Sequence, residues 1–117
     1  MQDNVRREVD AWRSQILRGS LEFAVLLLLR GKKRYGLEFI EILNGLKLGV
    51  SEGSIYPLLS RLRTGGLVRA EWVEQPSGGH ARKYYELTDA GSRVCDEETA
   101  VWRQHVAAFK QLTGGKL

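Results

Sequence analysis

Residues 51–64 interleave side chains suited to reading a nucleic acid with side chains suited only to packing. Ile55, Leu58, Leu59 and Leu62 fall at i, i+3, i+4 and i+7, a single apolar helix face. The opposite face carries Pro57, Ser60, Arg61 and Thr64, flanked by Ser54 on one side and by Tyr56 and Arg63 on the other. Small hydroxyls and guanidinium forks are the groups that bond base edges and phosphates. Two more clusters are cationic. Arg30, Lys32, Lys33 and Arg34 precede Tyr35 in one; His80, Arg82 and Lys83 follow the pair Gly78-Gly79 in the other. Glycines let a backbone approach phosphates closely, and the cations add charge-assisted contacts. The candidate DNA-contacting set is therefore Lys33, Arg34, Tyr35, Ser54, Tyr56, Pro57, Ser60, Arg61, Arg63, His80, Arg82 and Lys83. Tyr56 is open between phosphate contact and half-buried packing, and Tyr84, Tyr85 and Trp72 read as the packing core of a hairpin.

Other chemistries find less support. The only histidines are His80 and His105, and the one cysteine, Cys95, has no Cys or His nearby in sequence, whereas zinc wants about four N, S or O ligands. No metal and no cofactor is expected. Cys95 has no evident activating base and reads as a small buried helix residue. Gly31 and Gly36 have the spacing of half a P-loop, but Leu37-Glu38 follows in place of Lys and Ser or Thr, and no strand is expected before it. Neither paired carboxylates nor a nucleophile–base pair is visible, so no enzyme is expected.

The chain has 117 residues, one domain's worth, and carries a formal charge of +4. That balance favours a polyanionic partner. A lone cysteine rules out an intramolecular disulfide and suits a reducing cytoplasm. The longest apolar run, Phe23 to Leu29, falls far short of the ~20 residues that span a bilayer, and the N-terminal residues form no signal-peptide core. A cytoplasmic, nucleoid-associated protein without membrane contact is the expectation.

These groups need elements to hold them. Val5, Val9, Trp12 and Ile16 make one stripe of a first helix, to pack on its own domain or on a second subunit. Gly19-Ser20 is expected to punctuate the chain, with Ser20 capping a second helix from Leu21 to Leu29 that is apolar almost all round. A basic turn follows, then a third helix with Leu37, Ile40, Leu43 and Leu46 in helical spacing. Ser51 is the N-cap candidate of the fourth helix, whose first turn Pro57 should distort and which Gly65-Gly66 ends. The period then falls to two. Leu67–Glu74 and Arg82–Thr88 read as a hairpin joined by the turn-rich loop 75–81, with Val68, Ala70 and Trp72 on one side. Thr88 caps a last helix striped with Val94, Val101, Trp102, Val106, Phe109 and Leu112. The fold class is mainly α with a small β-hairpin: a winged helix-turn-helix with N- and C-terminal dimerisation helices. The expected division is 1–18 for the N-terminal helix, 19–90 for the winged domain and 91–117 for the C-terminal helix.

Tyr35-Gly36, Ser51-Glu-Gly-Ser-Ile-Tyr-Pro-Leu-Leu59, Arg61-Leu62, Gly66-Leu67, and Arg82-Lys-Tyr-Tyr-Glu-Leu-Thr88 followed by Ala90-Gly91 resemble the PadR-like transcriptional regulators. The likeness runs from about Gly19 to about Gly91; the Tyr-Pro-Leu-Leu segment and the Tyr-Tyr-x-Leu-Thr-x-x-Gly block are specific in combination. It implies a homodimer joined through the flanking helices, with Val5, Val9, Trp12, Ile16, Val94, Trp102, Val106 and Phe109 at the interface. It implies a repressor relieved by a small molecule. The single short C-terminal helix is similar to that of the compact subgroup, some of whose members hold flat aromatic compounds against a tryptophan between subunits. Trp102, with Val101 and Val106, matches that place. The helix before Gly19 is longer than the compact form requires. The partner expected is double-stranded DNA with a near-palindromic operator, read by two recognition helices about 34 Å apart. The alternative is a winged-helix protein-interaction module with no small-molecule effector.

Overall fold

The computed structural model describes residues 2–76 and 78–116, so Ser77 in the expected wing tip lies outside the described residues. The chain forms α1 (Gln2–Leu28), β1 (Arg34–Tyr35), α2 (Gly36–Gly45), α3 (Glu52–Thr64), β2 (Val68–Val73), β3 (Arg82–Leu87) and α4 (Asp89–Leu112). The expectations of a helix after Ser51, a hairpin and a last helix hold in order and kind. The expected break at Gly19-Ser20 does not occur: α1 passes through it as one helix. Ser20 Oγ donates to the Ile16 carbonyl at 2.7 Å, the back-bond of a serine inside a helix. A helical glycine costs only about 1 kcal/mol against alanine. The burial of Leu21, Val25, Leu26 and Leu29 just beyond it outweighs that cost.

The core gathers one face from each element. Leu21, Val25, Leu26 and Leu29 meet Phe39 and Leu43 of α2, Ile55, Leu58, Leu59 and Leu62 of α3, Val68, Tyr85 and Cys95. In α2 the buried large side chains are Phe39 and Leu43, while Leu37 and, just past the helix, Leu46 face outward. Beyond this core the first half of α1 stands alone, and residues 2–16 are all exposed.

The turn between α2 and α3 sets the angle of α3. Asn44 spans it, donating Nδ2–H to the Val50 carbonyl at 2.9 Å and accepting the Val50 N–H at 2.7 Å. Lys47 and Gly49 take positive φ within this turn. Ser51 holds the N-cap position, yet its hydroxyl sits 3.3 Å from Ser54 Oγ and caps no backbone N–H. The helix runs unbroken through Pro57, which forgoes one backbone bond.

The sheet has the order β1-β3-β2, all antiparallel. Arg34–Tyr35, expected as turn, is a two-residue strand too short to show a period in sequence. At the far end of β3, Thr88 locks the sheet to α4. Its N–H donates to the Leu67 carbonyl, its hydroxyl donates to the Gly66 carbonyl at 2.6 Å, and Oγ1 accepts the Gly91 N–H at 3.0 Å. Here α4 passes so close to the strand that a Cβ on Gly91 would stand 1.9 Å from the Leu67 carbonyl oxygen. The Thr-x-x-Gly spacing thus encodes a capped, contact-distance crossing.

Candidate nucleic-acid interface

The alternation of β2 carries Val68, Ala70 and Trp72 onto one sheet face, but the core ends before the strand does. Val68 is buried, Ala70 half-buried, and Trp72 is 69% exposed. The expectation that Trp72 packs in the wing core is therefore corrected; Tyr85 is buried and Tyr84 half-buried. Between this overhanging end of the wing, the start of α2 and one flank of α3 lies a groove of about 490 Å³. It brings together Tyr35, Tyr56, Ser60, Arg82 and Lys83 from the sequence-derived set and adds Leu37 and Trp72.

Aromatic rings set the cations in this groove. The Arg82 guanidinium stands 4.5 Å from the centre of the Tyr35 ring, which meets Tyr84 edge-on at 5.4 Å. Lys83 Nζ lies 5.8 Å from the Trp72 ring and 5.9 Å from Tyr85. No ion pair among the described residues engages Arg61, Arg63, Arg82 or Lys83. Their charges face solvent and are available to an anion.

Tyr56 owes its position to Gly36. A Cβ there would stand 2.3 Å from the Tyr56 ring, so only glycine admits the ring in this pose. Gly36→Ala is expected to push the Tyr56 ring away while leaving α2 and α3 folded, because a side chain and not backbone must move. The checks are a melting curve within a few degrees of the parent and a several-fold weaker affinity for DNA in fluorescence anisotropy.

The other flank of α3 faces α1. Ser54, Pro57 and Arg61 line a second cleft with Ser14 and Arg18. The sequence pattern gives no sign of Arg18 beside α3, which depends on α1 running unbroken past Gly19. Arg63 and His80 are exposed. Lys33 and Arg34 lie elsewhere than in the groove. Lys33 Nζ donates to Glu71 at 2.7 Å and lies 3.8 Å from Glu86, which also accepts from Arg69 at 2.8 Å. The hydrogen bond that Lys33 donates to Glu71 raises the Lys33 pKa, and the one that Glu86 accepts from Arg69 lowers the Glu86 pKa. Arg34 Nε donates to the Leu28 carbonyl at 2.7 Å, closing the end of α1. Arg30 likewise turns inward, to Asp96 at 3.0 Å and Thr99 at 3.3 Å, beside the buried Cys95.

The residues expected to meet a ligand lie at a third place. Phe23, Glu98, Val101, Trp102 and His105 line a groove of about 390 Å³ between α1 and α4. Trp102 stands 5.8 Å from the Phe23 ring, centre to centre. Val106 is exposed and outside the lining, while Val94 is half-buried on the chain's own core. Glu98 Oε1 is inaccessible to solvent and has no hydrogen-bond partner among the described residues. That burial, and Glu22 next to it, raise the Glu98 pKa above the ordinary 4.5. A carboxyl with a raised folded-state pKa favours the fold where it is protonated, and the advantage is lost as pH rises through the window above the ordinary value. Glu98→Gln is thus expected to raise the melting temperature at neutral pH, with the gain vanishing in mild acid. Equal gains at both pH values would contradict it.

The winged-helix fold is shared with known regulators. The model of the Transcriptional regulator PadR-like family matches residues 25–97. The chain belongs to the PadR-like family. A PadR family regulator from Eggerthella lenta is 33% identical, covers 96% of this chain and 94% of its own, and superposes with a TM-score of 0.76. A PadR-like regulator from Bacillus cereus is 32% identical over 87% of this chain and 99% of its own, with a TM-score of 0.77. A PadR-like transcription factor from Bacteroides fragilis is 36% identical over 87% and 98%, with a TM-score of 0.72. An uncharacterized protein of Lysinibacillus sphaericus is 30% identical over 79% of this chain and 86% of its own length. PadR-like proteins are DNA-binding transcriptional regulators and not enzymes. No helix among the described residues is long and apolar enough to cross a membrane.

Proposed function

We propose that this PadR-like regulator is a cytoplasmic, nucleoid-associated repressor that binds a near-palindromic operator as a homodimer and leaves it when a small aromatic ligand binds. The carrying observation is the groove in which α3 and the wing present Ser60, Tyr56, Arg82 and Lys83 together, with no carboxylate paired to either cation among the described residues. Residues 19–90 form the DNA-binding unit. The flanking 1–18 and 91–117 join the subunits through Val5, Val9, Trp12 and Ile16 of α1 and Trp102, Val106 and Phe109 of α4, all exposed in the single chain. The ligand enters against Trp102 and Val101 in the groove between these helices.

The wing supplies salt-sensitive affinity and α3 supplies selectivity. Arg82→Ala is expected to weaken binding to every duplex and to reduce the slope of log affinity against log salt by about one, the contribution of one phosphate contact. Ser60→Ala and Arg61→Ala are expected instead to change which sequence is preferred, by about 1–3 kcal/mol per altered base pair. Anisotropy titrations against a set of single-base operator variants separate the two roles. Uniform losses from all three substitutions would contradict the division.

A further inference from the structure

Trp72 is the largest apolar side chain on the wing, and it stays 69% exposed among the described residues. Isolated exposed apolar residues are common and call for no explanation. This one is different in its surroundings. It lies in the same groove as Tyr56 and Ser60 of α3 and Leu37 of α2, with Lys83 opposite it in the β2–β3 register and Arg82 one residue on. The lining combines apolar side chains, Trp72 and Leu37, with phosphate-seeking groups, Tyr56, Arg82 and Lys83. A duplex strand offers the same combination: the sugar is an apolar surface between two charged phosphates. The cationic lining favours a polyanion over an apolar peptide or a second copy of this basic chain.

We propose that Trp72 is a DNA contact: its indole packs on a deoxyribose of the strand whose phosphates Arg82 and Lys83 hold. The contact deepens the DNA-binding reading and rests on it. It adds affinity without releasing a counterion, so it leaves a signature distinct from that of its cationic neighbours. Its side chain also reports its own burial through fluorescence.

The test compares the full-length protein with Trp72→Ala, Trp72→Phe and Lys83→Ala, using anisotropy on one selected duplex over a range of salt. Trp72→Ala is expected to bind about tenfold more weakly, the order expected for an indole face removed from water, with an unchanged salt slope. Trp72→Phe is expected to keep most of the affinity. Lys83→Ala is expected to flatten the slope by about one. Adding duplex is expected to protect part of the parent's tryptophan emission from acrylamide quenching, and Trp72→Phe to lose that protected part. Melting curves of Trp72→Ala close to the parent's confirm that folding is intact. Full affinity and full protection without Trp72, in a parent that binds DNA, overturn the contact alone. A slope flattened by Trp72→Ala overturns it too, since the indole would then serve only to hold Lys83. A parent that binds no duplex at any salt overturns the DNA-binding reading, and the contact with it.

Discussion

Gly91→Ala is expected to destabilise the protein by about 3 kcal/mol, at the upper end of the usual cost of overpacking, and to lower the melting midpoint by about 10 °C. The reason is local and severe. The new methyl group would meet the Leu67 carbonyl oxygen at 1.9 Å and its carbon at 2.9 Å. Both belong to backbone, so no rotamer change relieves the clash. Separating α4 from the strand would also stretch the two bonds that Thr88, the cap of α4, makes across the junction, to Gly66 and Leu67. Because α4 enters the core through Cys95 just beyond, the displacement reaches the core. Thermal unfolding by circular dichroism checks it, and an unshifted midpoint would mean that α4 does not approach the strand this closely. Thr88→Val, which removes the hydroxyl and keeps the shape, is expected to cost less, about 1–2 kcal/mol, through loss of the helix cap.

Trp12→Asp is expected to yield a monomer and to weaken operator binding by about a hundredfold or more. The α1 stripe of Val5, Val9, Trp12 and Ile16 lies on a stretch of helix whose residues are all exposed, and Trp12 is 61% exposed. An amphipathic helix of that kind needs a surface to cover its apolar stripe. A carboxylate in the middle of the stripe leaves the free chain unharmed, because the site is already open to water. Paired stripes would have to desolvate that charge. Losing the second subunit removes the second half-site, and linked sites typically gain 10²–10⁴ over one alone. Sedimentation equilibrium together with anisotropy on a two-half-site duplex reads both effects. A variant that remains dimeric would take α1 out of the interface and leave α4 to form it.

Much of this was legible in the residues. The period of 3.6 in residues 51–64 placed Ile55, Leu58, Leu59 and Leu62 inward and left the hydroxyls and arginines outward, as they are. The change to a period of two announced the hairpin. Other features depended on distances no periodicity encodes. A Gly-Ser pair weakens a helix only slightly, so whether α1 breaks there turned on burial farther along. Trp72 obeys the strand alternation, but alternation says which face a residue joins and not where the core beneath that face stops. Lys33 and Arg34 read in sequence as free cations because their partners, Glu71 and the Leu28 carbonyl, arrive only through folding. The roles of Gly36 and Gly91 became physical only when the ring and the carbonyl opposite them were in place.

The most direct test is selection of tight binders from a random duplex pool by the full-length protein, with anisotropy on the enriched sequences at two salt concentrations. Two subunits reading successive major grooves are expected to enrich a near-palindromic motif whose half-sites lie about 34 Å apart. Affinity for it is expected to fall steeply with salt, by about 0.9 in logarithmic slope per phosphate contact. No enrichment of any motif, with weak binding that does not depend on salt, would contradict a DNA-reading face on α3 and the wing.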